Sequence, residues 1–112
     1  MINAIIRKNR NGEYKGFRIE GHAGFSDTVN SKKDLVCAAV SVLVINTLNS
    51  LEKLTDIGMK VTSDESKGLY ECMLSDIPND KEKILIDAMV LGIEGIQNEY
   101  GARFCRLRFE EV

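Results

Sequence analysis

Among the side chains able to do chemistry, three cysteines and one histidine stand out in the 112-residue chain. Cys37 sits in the apolar run from Leu35 to Ile45, and His22 lies upstream in Gly21-His22-Ala23-Gly24. A thiol with its free pKa near 8.5 is only about 3% thiolate at pH 7, whereas one lowered to about 6 is roughly 90% thiolate. The positive end of a helix and a protonated imidazole both push a thiol in that direction. Helix-terminal N–H groups can also receive the oxyanion of a tetrahedral intermediate. Cys37 and His22 therefore form a candidate nucleophile–base pair. Each has a plainer reading: a lone Cys on an apolar helix packs as a small core residue, and a loop histidine is often merely solvated. Asp34 reads first as a helix cap, a role that leaves it able to orient His22. Cys72 and Cys105 fall in strand patterns and read as packing.

These residues need elements to hold them. Ile2–Arg7 alternates around Ile2, Ala4 and Ile6, and Asn11-Gly12 then signals a hairpin returning along Tyr14–Glu20. Gly21–Lys33 lacks periodicity and reads as a loop, long enough to suggest function. A helix begins between Ser31 and Asp34, with Ser31 or Asp34 as its cap, and runs to about Leu54. Its first turns are apolar nearly all round, which predicts deep burial. Strands at Ile57–Ser63 and Leu69–Leu74 flank a turn-rich Asp64–Gly68, giving a second hairpin. A second helix follows from Asn79-Asp80 to Tyr100, with Gly101 suited to a left-handed end. Its apolar surface exceeds one buried face, so it is either fully buried or supplies a dimer contact, and Gly92 and Gly95 suggest close packing. A last strand spans Phe104–Glu110. The order β-β-α-β-β-α-β predicts an α+β, two-layer fold over residues 1–112, both helices covering one face of a five-stranded, largely antiparallel sheet.

Composition sets limits on partners. A chain of 44% hydrophobic and 29% charged residues is globular in character. Its net charge of −2 argues against nucleic acid as the main partner. Residues 1–33 nonetheless hold seven Lys/Arg against three Asp/Glu, while the remainder holds eight against fourteen. The basic first third leaves open a non-catalytic ribosome- or RNA-associated module in which Cys37 only packs. The apolar run from Leu35 to Ile45 is shorter than the roughly 20 residues of a spanning helix, and charge enters the N-terminus too early for a secretory signal. No membrane partner is expected, and a reducing cytoplasm is the default compartment. Three cysteines and a histidine could supply zinc ligands by number, but no CxxC spacing supports a metal site, and no cofactor is expected.

Gly21-His22-Ala23-Gly24 followed by Asp34-Leu35-Val36-Cys37-Ala38-Ala39-Val40-Ser41 resembles the paired motif of the ribosomal-processing cysteine protease family, and the likeness covers essentially the whole chain. The resemblance implies a Cys–His endopeptidase with Cys37 as nucleophile, His22 as base and Asp34 as orienter. Gly21, Ala23, Gly24 and Ser41, at the surrounding motif positions, become candidate substrate contacts. The implied substrate is the N-terminal extension of a large-subunit ribosomal protein, a hydrophobic stretch with aromatic residues leading to a small residue at the scissile bond. The resemblance also implies a homodimer, with no nucleic acid required directly. The Phe25–Lys33 loop, between base and nucleophile, is a candidate lid.

Overall fold

A sheet covered on one side needs apolar side chains at every second position of its strands, and these strands supply them. The computed structural model describes residues 1–21 and 32–112. In chain order they form β1 (Ile2–Lys8), β2 (Tyr14–Glu20), α1 (Lys32–Leu54), β3 (Met59–Asp64), a 3-10 turn (Glu65–Lys67), β4 (Leu69–Leu74), α2 (Asp80–Tyr100) and β5 (Cys105–Glu111). The sheet order is β3-β4-β2-β1-β5. All neighbours are antiparallel except β1 and β5, which run parallel because α2 carries the chain back across the sheet.

Across this sheet Ile6 opposes Phe17, Ala4 opposes Ile19, and Phe17 opposes Cys72, all of them buried. Val36, Val40, Val44, Leu48 and Leu51 from α1 and Ile86, Met89, Val90 and Ile93 from α2 complete a single core on that face. The Tyr14 hydroxyl donates to Asp87 and joins β2 to α2. The opposite face carries charge instead. There Arg18 Nη1 lies 2.9 Å and Arg7 Nη1 3.3 Å from Glu71 Oε2. The Arg18 hydrogen bond, with help from Arg7, holds the Glu71 carboxyl below the usual carboxylate range.

Local signals set the element ends. Asn79 accepts from the Glu82 N–H while Glu82 accepts from the Asn79 N–H, a complete capping box for α2. Gly101 ends α2 with a positive φ of 105° but an extended ψ of 152°, rather than the left-handed helical pair. A Cβ at Gly92 would sit 2.7 Å from Leu43 Cδ1, so that glycine does mark close helix packing, whereas among the described residues nothing beyond its own helix lies within 4 Å of a Cβ at Gly95.

Three expectations need correction. The first concerns α1, which is not buried all round: Leu35 is 53% and Val42 67% exposed. The sheet can cover only one stripe of a helix and α2 only part of the next, so the remaining apolar side stays open. The second concerns α2, which leaves Ile84 and Leu91 exposed, so of the two readings of its excess apolar surface full burial is the one that fails. The third concerns the start of α1. Because the helix opens at Lys32, Asp34 lies inside the first turn and is not its N-cap; Ser31, the other candidate, lies outside the described residues. The 22 residues from Lys33 to Leu54 are long and apolar enough, by length and composition, to cross a membrane. Its five buried hydrophobic residues nevertheless place α1 as a core helix against the sheet.

Candidate active site

The rotation of α1 about its axis decides where Cys37 lies. Val36 and Val40 are locked into the core, and each next residue along a helix lies about 100° further round. Cys37 and Ser41, four residues apart, therefore share the edge of the buried stripe, and Cys37 is half-buried against the core. Both line a cleft of about 190 Å³ together with Val40. Its other walls are Ile2 and Ile19 from the sheet, Gly21 after β2, and Glu65, Gly68 and Tyr70 from the β3–β4 connection.

Gly21 fixes the strand end at this cleft. Its φ is +104°, a conformation that favours glycine, and its N–H donates to the Lys67 carbonyl at 3.1 Å. A Cβ there would lie 2.4 Å from the Met1 carbonyl oxygen. The β2 end, the start of β1 and the 3-10 turn thus meet at one residue, with Gly68 closing the turn in the left-handed region at φ 60°.

Of the proposed site residues, the structure brings Cys37, Ser41 and Gly21 to one cleft. Asp34 occupies the exposed first turn of α1, three residues before Cys37 and on the same side of the helix. At that position its charge complements the helix dipole. His22, Ala23, Gly24 and residues 25–31 of the candidate lid lie outside the described residues; Lys32 and Lys33 belong to α1. The described start of α1 lies about one turn before Cys37. Ile2, Ile19, Glu65, Gly68 and Tyr70 were not anticipated. The only sequence signals were the alternation that turns both isoleucines inward and the turn-rich Asp64–Gly68.

The other two thiols differ in kind. Burial pushes Cys72 up to about 12, and its sulfur lies 3.8 Å from the Met59 sulfur. Burial also raises Cys105. Neither lines the Cys37 cleft.

With a cleft built around a single accessible cysteine, the comparisons with known proteins become specific. The sequence matches the cysteine protease Prp family over residues 1–104. The chain belongs to that family. The ribosomal processing cysteine protease Prp of Bacillus subtilis is 32% identical over 108 residues, spanning 89% of this chain and 90% of that protein. A crystal structure of Prp from Staphylococcus aureus, in complex with a covalently linked product peptide, superposes with a TM-score of 0.84 at 25% identity. That superposition covers 98% of this chain and 100% of that one. A Streptococcus mutans protein superposes with a TM-score of 0.82 at 30% identity, over 100% of this chain and 96% of that one. A cysteine protease is an enzyme, so the non-catalytic module gives way. The expected five-stranded α+β architecture agrees with these neighbours.

Iodoacetamide at about pH 8 is expected to modify Cys37 alone in the native protein and all three cysteines in denaturant. At that pH a thiol near pKa 12 is thiolate in only about one molecule in ten thousand. Peptide mapping after alkylation reads the outcome, and rapid native labelling of Cys72 would contradict it.

Proposed function

We propose that the protein is a thiol endopeptidase that removes the N-terminal extension of a large-subunit ribosomal protein in the cytoplasm. One observation carries the reading: of the three cysteines Cys37 alone is not fully buried, and it lines the cleft that also contains Gly21, to which His22 is bonded in the chain. The relatives named ribosomal processing proteases, and the covalently linked product peptide in the S. aureus structure, support both the substrate and a covalent route. The apolar walls Ile2, Ile19, Val40 and Tyr70 suit the hydrophobic side chains expected before the scissile bond.

In this mechanism the Cys37 thiolate attacks the scissile carbonyl carbon and forms a C–S bond, while the carbonyl oxygen takes the negative charge. Backbone N–H groups at the α1 terminus are the candidate donors to that oxygen. The C–N bond then breaks as the His22 imidazolium protonates the departing amine. Neutral His22 next takes a proton from water, whose oxygen attacks the thioester; the C–S bond breaks and the acyl group leaves as a carboxylate. Asp34 orients His22. The chemistry calls on no metal or cofactor.

The family resemblance also implies a homodimer, and Leu35, Ala38, Val42, Gly92 and Ile96 form an open apolar face across α1 and α2 that would suit the contact. Introducing charge there, as Val42→Lys with Leu35→Lys, is expected to halve the mass seen by sedimentation. A protein that sediments as a monomer before the change rules the dimer out.

Cys37→Ala and His22→Ala are each expected to abolish cleavage of a peptide carrying the extension, with circular dichroism unchanged. Asp34→Asn is expected to lower turnover more mildly and to cost about 0.3–1 kcal/mol in urea denaturation through the lost dipole interaction. Cleavage by Cys37→Ala at the parental rate would remove the nucleophile assignment.

A further inference from the structure

The Cys37 cleft does not end at Tyr70. The same side chain lines a second groove that runs between α1 and the strand at the sheet edge, past Ile45, Leu48, Met59, Val61 and Ser63. This groove is open and apolar along Ile45, Leu48, Met59 and Val61, with Asn49 and Glu52 of α1 also on its wall; Ile45 is 40% and Val61 44% exposed. β3 pairs with β4 alone, so among the described residues its other side carries no strand.

The register fixes which backbone groups face that open side. In an antiparallel pair, hydrogen-bonded and non-hydrogen-bonded positions alternate. The Ser75 N–H donates to the Gly58 carbonyl at 2.8 Å, and these residues continue the register that pairs Met59 with Leu74. Lys60, Thr62 and Asp64 therefore bond to β4, while Met59, Val61 and Ser63 point their N–H and C=O groups outward. The same three residues turn their side chains toward α1, since Val61 opposes the buried Cys72. An unpaired strand edge and an apolar groove thus coincide, both leading to the thiol.

We infer that an extended segment of the substrate adds to the sheet as a sixth strand along β3, placing every second side chain in the α1–β3 groove. This rests on Cys37 being the protease nucleophile. The occupant is an unfolded peptide arm, because only an extended chain offers a strand's donors and acceptors to a free edge. From Met59 to Ser63 the edge covers roughly 13 Å, four rises of a strand. The site then selects by pattern: apolar residues at alternate positions on the side of the scissile bond that lies over β3. The intervening positions face Lys60 and Thr62 and tolerate polar side chains.

Two sets of measurements test this with the full chain and a peptide bearing an apolar arm. Val61→Glu and Ile45→Glu alter partly exposed positions and are expected to leave the melting temperature and the iodoacetamide rate of Cys37 unchanged. Both are expected to raise KM by roughly tenfold or more. Peptides N-methylated at successive amides should lose cleavage at every second position only, because methylation removes a ladder donor. Parental KM in both variants, or N-methyl effects without alternation, overturns strand addition while the protease reading stands. Peptide cleavage that persists in Cys37→Ala overturns both.

Discussion

The seating of α1 on the sheet is the constraint from which the site follows. Five buried side chains, Val36, Val40, Val44, Leu48 and Leu51, fix both the depth and the rotation of the helix. With Val36 and Val40 held inward, Cys37 and Ser41 have to fall at the margin between core and solvent. A thiol deeper by one stripe would share the fate of Cys72, desolvated and unreactive. One stripe further out, it would join Ala38 and Val42 on the open apolar side, away from the cleft. Core packing and the position of the chemistry are thus the same geometric fact.

The cleft opposite α1 depends on a convergence of chain segments. β1 begins, β2 ends and the β3–β4 turn closes at one end of the sheet, and Gly21 links them through its bond to Lys67. Two glycines with positive φ, Gly21 and Gly68, let backbone approach where side chains would block the way. The walls are thereby built from backbone and inward isoleucines, and the wall charge comes from Glu65. Membership of the cysteine protease Prp family gives this arrangement a purpose that the fold by itself would not supply.

Much of the architecture could be read from local pattern. Alternation in Ile2, Ala4 and Ile6, the Asn11-Gly12 turn and the Asn79–Glu82 box each act within a few residues, and each element formed where those signals placed it. The parts that escaped were nonlocal. Nothing near Tyr70 or Glu65 in sequence indicates that they line the Cys37 cleft, because β4 is brought beside Ile19 only through its pairing with β2. The exposure of Leu35, Val42 and Leu91 was equally hidden, since apolar composition cannot say which stripe of a helix finds a partner. Cys37 was identifiable as a candidate from its place near a helix start, but its contrast with Cys72 and Cys105 required the burial of each thiol. His22 was identified from its glycine-flanked motif alone and lies outside the described residues.

The decisive quantity is the site of covalent attachment during turnover. Acid-quenching the protease with its extension peptide, followed by intact-mass measurement and peptide mapping, should find the acyl fragment as a thioester on Cys37. Fragment bound at another residue, or ready cleavage with no covalent species at any quench time, would contradict a nucleophile placed by the seating of α1.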